Sequence, residues 1–525
     1  MSAERVACLA FDCPGISLLE NGLAAGRLPT LAGLLENGRA VALADRQEIS
    51  TPPSWPTMIR GCDLPDHGLF TDRAYAQGGY RIEDVEPEAA KRPPFWRYLS
   101  DAGVRSVVLS AYSGEFLYDF EGVQVTGWGS HDPFDGKLGR HRSDPPGLLA
   151  ELEQLVGPRA LRYNGVPPRG ARRARAYVED MSRGCDQQAR ALRRLLEPGD
   201  WRFAFASFGE PHQAGHWLWH LADPAHPDYD PSLDADVHDG LMRVYEAADR
   251  AIGSVLAALP EGTVVLIVSP YDMGPNHHLD EALPSLFERA GWLVRAPAAR
   301  VSPKVRALRA GRRAVRAAVP LALRPALGRL AGRDRLLADL ALGGGDWPAT
   351  AAMPVPSDGS SVVRLNLAGR ESDGKVQPGD EAETLLDDIA ETLLDLRCAD
   401  TGEPVVARVL RYEELYDAER YTGPADLFIQ WARIQRPSAV RSERFGEIPV
   451  PTERSIRSVH YAPGFAVGAG PGIEPSGARG FEGSADARLA DIAATVLTLL
   501  GVPLPPEITG RPIPGLVPAA AEAGA

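Results

Sequence analysis

The 525-residue chain predicts an α/β protein: a doubly wound, mostly parallel sheet with helices on both faces and an inserted smaller lobe. Three observations predict it. Short continuous apolar runs stop at turn residues, helical patterns alternate with them, and chemistry-bearing residues follow the ends of the runs.

The first run, Val6 to Phe11, is closed by Asp12, Pro14 and Gly15. An uninterrupted apolar stretch of this kind suits a strand buried on both faces, which delivers the next side chain at its carboxyl end. Similar runs stand at 106–109, 203–206 and 264–268, and residues 148–156, 187–196 and 241–259 carry helical patterns between them. The order strand, helix, strand is that of parallel sheets. In such sheets ligands collect beyond the carboxyl ends of the strands. Asp12 and the segments 207–216 and 269–278 all follow such runs, so one mouth would gather them.

Composition excludes several classes. With 44% hydrophobic and 24% charged residues the chain can bury a full core. A formal charge of −14 speaks against a nucleic-acid polymer as partner, which needs a basic face. The five cysteines are scattered without a C-x-x-C pair, so neither a disulfide framework nor a cysteine-built zinc site is expected, and the cytoplasm is the expected compartment. Met1 to Leu9 lacks the features of a secretory signal, and no uncharged run approaches the ~20 residues that cross a bilayer. No membrane partner is expected.

Between 297 and 345 basic residues from Arg300 to Arg335 crowd Ala and Leu at helical spacing, with Pro320 and Pro325 interrupting the pattern. The segment reads as a solvated cap whose arginine stems cover apolar surface, or as an anion-attracting lid. The domain plan is a core over 1–296, an inserted lobe over 297–440, the last part of the core over 441–515 and a flexible tail over 516–525.

Three fragments carry the chemistry. Asp12 ends the first run; Thr51 lies in Ser50-Thr51-Pro52-Pro53-Ser54-Trp55; His212 and His216 lie in Glu210-Pro211-His212-Gln213-Ala214-Gly215-His216. Thr51 is the candidate nucleophile, and a threonine hydroxyl needs a metal or a base to activate it. By itself it reads as a cap or turn residue. Residues 58–61 are expected to begin a helix whose N-terminus favours bound anion. Four residues apart on a helix, His212 and His216 present both imidazoles to one ion. His460 is a distant candidate for a third ligand, which spacing does not prove. Alone, Asp12 reads equally as a helix cap.

In this order and spacing the fragments resemble the alkaline phosphatase superfamily, in its type I phosphodiesterase and nucleotide pyrophosphatase branch. The resemblance takes in Gly26-Arg27-Leu28-Pro29-Thr30, Thr51 to Thr57, Leu64-Pro65-Asp66-His67-Gly68, Glu210 to His216, His460 ahead of Gly470-Pro471-Gly472, and Asp491 to Leu497. Trp128 to Asp132, Asp346-Trp347 and Asn366 to Arg370 also look like family segments, and Arg370 reads as an anion contact or a salt bridge. The resemblance implies two adjoining metal positions around a Thr or Ser that forms a covalent intermediate. Asp12 and Thr51 would belong to the metal nearest the nucleophile, and His212, His216 and His460 to the other.

Two departures stand out. His212 occupies a place where the family usually has Asp, and three imidazoles suit zinc. Where the family has Ser-Asp-His-Gly, this chain has Ser269-Pro270-Tyr271-Asp272, so the metal beside Thr51 loses two donors. Asp272, His277 or His278 would have to replace them. The expectation is therefore one divalent ion, zinc, on His212, His216 and His460, with two ions as the alternative, and Asp12, Thr51 and Asp272 as further candidate ligands. The expected activity is hydrolysis of phosphodiesters or related small anionic phosphate or sulfate esters through Thr51. The alternatives are a phosphoryl or sulfuryl transferase, or a degenerate binding member.

Overall fold

The structure, a computed structural model, describes residues 2–44, 53–70, 73–75, 78–80, 82–128, 141–158, 168, 170–296, 345–355, 361–415, 425–451, 457–478, 480–481 and 487–518. The chain forms two compact units, one from Met1–Leu69, Pro87–Asn276 and Ser455–Ala525, the other from Phe70–Glu86 and His277–Arg454.

In the first unit the elements that matter here are, in chain order, β1 Val6–Phe11, α1 Ile16–Ala24, α2 Pro29–Asn37, β2 Arg39–Ala44, α3 Ser54–Arg60, β3 Ser106–Leu109, β4 Gly122–Thr126, β5 Arg142–Asp144, α4 Leu148–Val156, α5 Ala171–Leu196, β6 Phe203–Phe208, α6 Glu210–Ala222, α7 Gly240–Leu256, β7 Val264–Ser269, β8 Asp272–Pro275, β9 Ser458–Tyr461, β10 Gly464–Ala469, β11 Ala487–Arg488 and α8 Asp491–Leu499. A nine-stranded sheet runs in the order β11, β2, β10, β7, β1, β6, β3, β4, β5. β1 is parallel to both β6 and β7, and β3 to both β4 and β6. Only β10, between β2 and β7, and the edge strand β5 run antiparallel to their neighbours. Every residue of β1, β6 and β7 is buried, which is why the sequence shows unbroken apolar runs there instead of alternation. The expected α/β sheet and its four strand runs are therefore present.

The register carries the carboxyl ends of the three central strands to one level. Phe11 pairs with Phe208, and Ala10 lies opposite Val268, so the residues that follow β1, β6 and β7 emerge side by side. β8 and β9 form a separate antiparallel ladder with Met273 opposite His460. This ladder attaches to α6, since Arg457 N–H donates to the His216 carbonyl at 3.0 Å.

One helix differs from expectation. Residues 58–60 do not begin a helix but close α3, which starts at Ser54 and ends where Gly61 turns left-handed at φ 64°. Pro53 stands at the cap position ahead of Ser54, a start that the apolar pattern alone did not mark.

In the second unit a four-stranded antiparallel sheet runs Ala352–Val355, Ser361–Leu365, Leu427–Trp431, Val406–Arg411, with the helix Asp380–Asp395 against the last of these. A three-stranded sheet joins Arg397–Cys398, Ala439–Ser442 and Gly446–Pro449. The unit starts at His277, ahead of the expected 297, because Trp292 bonds through its carbonyl to the backbone of Ala351 and Ala352. It runs past 440 because the hairpin of Ala439–Ser442 with Gly446–Pro449 pairs onto Arg397–Cys398. The basic stretch 297–344 lies outside the described residues. At the other end Leu516 and Val517 are buried, so packing extends into the segment expected to be a tail.

Close backbone approach requires glycine at the head of β10. A Cβ on Gly464 would stand 2.2 Å from the Ser269 carbonyl oxygen and 2.6 Å from the Pro270 carbonyl carbon, both backbone atoms that cannot rotate away. Gly464→Ala is expected to lower stability by about 2 kcal/mol, read as a shift in the urea midpoint at unchanged slope.

Candidate metal centre

The site is built on the ends of β1, β6 and β7. Asp12 follows β1 and is fully buried. β6 leads through Gly209 into α6, whose first two turns carry His212 and His216 on one side. Gly215 between them lets β8 lie close, since a Cβ there would meet the Met273 sulfur at 2.0 Å. β8 in turn holds β9 and presents His460 to the two imidazoles.

The three rings converge through the same atom. His212 Nε2 lies 2.9 Å from His216 Nε2, and His460 Nε2 lies 2.7 and 3.2 Å from them respectively. The outer nitrogens determine what these inner ones are. His212 Nδ1 lies 2.9 Å from Asp12 Oδ2, and His216 Nδ1 lies 2.9 Å from the Ser458 carbonyl oxygen. A carboxylate and a carbonyl only accept, so both Nδ1 atoms donate, and each neutral ring then turns a lone pair inward at Nε2. Two acceptors cannot bond to each other across 2.9 Å. A cation between them resolves the contact. Zinc with nitrogen ligands at 2.0–2.1 Å in tetrahedral array spaces those nitrogens about 3.3 Å apart, close to the triangle seen here. The donor set fits a borderline divalent ion such as zinc. His212 is buried while His216 and His460 are half-buried, so the group is sheltered yet reachable.

Asp12, expected as a ligand, is hydrogen-bonded through both carboxylate oxygens. Its Oδ1 accepts the Trp55 indole N–H at 3.1 Å, and its Oδ2 accepts from His212 Nδ1. A carboxylate behind a ligating imidazole fixes its tautomer and raises its basicity. Asp272 is also directed elsewhere. Its Oδ1 accepts the backbone N–H of Ile16 at 2.6 Å and of Met273 at 2.7 Å, capping α1. His277 and His278 belong to the second unit, where His277 Nδ1 donates to the Ile434 carbonyl and His278 Nδ1 is 3.8 Å from Asp280. The Asp272 carboxylate is engaged at the start of α1. Arg370 pairs with Asp426 at 2.7 Å and with Glu371 at 2.9 Å, the salt-bridge alternative. Thr51 lies outside the described residues.

Tyr271 stands where the resemblance calls for a metal-binding side chain. Its ring stacks on His460 at 4.4 Å between centroids and meets His212 edge-on at 5.9 Å. Burial holds its phenol well above the ordinary tyrosine range, the charges of Asp12 and Cys13 push the same way, and a hydrogen bond with Trp55 opposes them.

Sequence reasoning did not single out Cys13. It is fully buried, and its Sγ lies within 4.8 Å of ring nitrogens of His212 and His460. Burial, then the charges of Asp12 and Asp272, raise its thiol well above the usual range. Its backbone adopts φ 43°, a left-handed conformation that costs a non-glycine residue about 1–3 kcal/mol. The Ser269 hydroxyl holds that turn by accepting the Cys13 N–H at 3.2 Å while donating to the Tyr271 carbonyl at 2.8 Å. The available signal was its position, directly after Asp12 at a strand end.

The sequence model of the type I phosphodiesterase / nucleotide pyrophosphatase family matches residues 6–422. Among solved structures, the chain is similar to phosphonoacetate hydrolase from Sinorhizobium meliloti 1021 in complex with phosphonoformate, at 12% identity and a TM-score of 0.52 over 95% of this chain and 96% of that one. It is also similar to the wild-type alkaline phosphatase PafA, at 12% identity and a TM-score of 0.56 over 98% and 99%. Both likenesses concern the fold. No curated protein matches the chain.

Removing the carboxylate behind His212 tests its supporting task. Asp12→Ala is expected to weaken zinc binding about 10–100-fold without removing any of the three imidazoles, measured by competition with a chromophoric chelator.

Proposed function

We propose that this chain, a phosphoester hydrolase that belongs to the type I phosphodiesterase / nucleotide pyrophosphatase family, cleaves small phosphodiesters or related anionic esters at a single metal ion. His212, His216 and His460 hold the ion, and Thr51 is the nucleophile. The observation that carries the metal assignment is the 2.7 to 3.2 Å triangle of Nε2 atoms. Zinc is the ion that this donor set favours.

When bound, such an ion supplies Lewis acidity and positive charge for a phosphoryl oxygen. The chain's own residues do the rest. Asp12 keeps the His212 Nδ1 proton in place and so keeps Nε2 available. The Ser458 carbonyl does the same for His216. Tyr271, stacked on His460, fixes that ring and fills with carbon the side where a second ion would need ligands. Thr51 Oγ1 attacks phosphorus, its proton is lost, and the ester alcohol leaves with a proton. Water then cleaves the phosphothreonine and restores the hydroxyl. One ion in place of two leaves less charge to acidify Thr51, which favours substrates with good leaving groups, such as aryl diesters.

A cytoplasmic location is part of the same reading, supported by five dispersed and buried cysteines. No helix among the described residues is long and apolar enough to cross a membrane.

The test uses bis(p-nitrophenyl) phosphate with the zinc-loaded protein. Thr51→Ala is expected to lower turnover at least about 1,000-fold with zinc still bound, and His216→Ala to lose both zinc and turnover. Equal rates in Thr51→Ala and parent would remove Thr51 from the mechanism. Formation of alkyl phosphate in the presence of an alcohol would move the assignment to transfer, and zinc binding without turnover of any phosphate or sulfate ester would leave a binding member.

A further inference from the structure

Resting on that metal reading, we infer that Cys13 is the fourth protein donor to the ion, making a centre of three imidazoles and one thiolate. Two independent observations meet here. The three Nε2 atoms define one face of a coordination shell, separated by 2.7 to 3.2 Å. The Cys13 sulfur lies within 4.8 Å of ring nitrogens of His212 and His460, which makes a mixed His and Cys group of a kind that holds metal.

The distances are near those of coordination. In a tetrahedral zinc centre with Zn–S about 2.3 Å and Zn–N about 2.05 Å, sulfur and nitrogen stand about 3.6 Å apart. The Cys13 sulfur must therefore approach the His212 and His460 nitrogens by up to about 1 Å, and must close a longer gap to His216, which lies outside the 4.8 Å group. Its present contact is weak: the thiol donates to the Asp272 carbonyl at 3.4 Å. On binding, the thiol proton goes to solvent and the sulfur trades that bond for a coordinate one. The left-handed turn at φ 43° sets where the side chain leaves the backbone, immediately after the carboxylate that supports His212.

The assignment has a chemical consequence. Three imidazoles and a thiolate select zinc or cobalt over magnesium and manganese, which prefer oxygen donors. A full protein set still admits substrate, because zinc centres can expand to five donors during reaction.

Cobalt substitution of the full-length protein tests this by a readout independent of activity. Cobalt(II) bound by the imidazoles gives intense visible d–d bands, and a coordinated thiolate adds a near-ultraviolet sulfur-to-cobalt charge-transfer band. The parent is expected to show both; Cys13→Ser should keep the visible bands and lose the charge-transfer band, while Cys398→Ser, altered in the second unit, should keep both. A parent with visible bands and no charge-transfer band overturns the assignment of Cys13 and leaves the imidazole centre standing. This outcome needs no variant, so a poorly folding Cys13→Ser does not spare the inference. A charge-transfer band that survives in Cys13→Ser overturns it as well. Failure of the parent to bind cobalt overturns the metal reading itself.

Discussion

Two imidazoles whose outer nitrogens both donate must face each other with lone pairs, and here they do so at 2.9 Å with a third ring nitrogen 2.7 and 3.2 Å away. The constraint originates outside the group, in Asp12 and the Ser458 carbonyl, which admit no other tautomer of the neutral rings. Without those two acceptors the rings could take the opposite tautomer and bond to one another. With them, neutral rings present three nitrogens suited to a shared cation, and the proposed activity depends on that.

The surroundings are organised to keep this constraint in place. Asp12 is fully buried, and a buried carboxylate is costly unless its oxygens are bonded. Trp55 supplies one bond and His212 the other. Trp55 belongs to the helix that begins three residues after Thr51, so the carboxylate that orients a ligand is also tied to the segment carrying the proposed nucleophile. Tyr271 closes the opposite side by stacking on His460.

Family membership and fold frame this picture without completing it. The family match covers residues 6–422, whereas His460 lies beyond it. The centre therefore joins residues inside the matched stretch to one outside, through the ladder of β8 with β9. Such a ladder costs loop-closure entropy across the whole second unit, and the join holds because Arg457 N–H donates to the His216 carbonyl in α6 while the Arg457 carbonyl accepts the Asn276 N–H.

What the sequence determined by itself was local. Unbroken apolar runs gave away β1, β6 and β7 because strands buried on both faces have no polar alternation. The spacing of His212 and His216 showed a shared helix face because four residues make about one turn. The start of α3 was misread because Pro53 at its cap, and no apolar period, marks it. The tertiary structure alone decided the rest: Asp12 bonds to His212, Asp272 caps α1, and Cys13 stands near the rings of His212 and His460. Whether a carboxylate faces an ion, an imidazole or a helix end depends on strand register and on turns such as that at Cys13, which bring together atoms from residues hundreds of positions apart. Periodicity reports which face a residue takes on its own element, and it is silent about what that face meets.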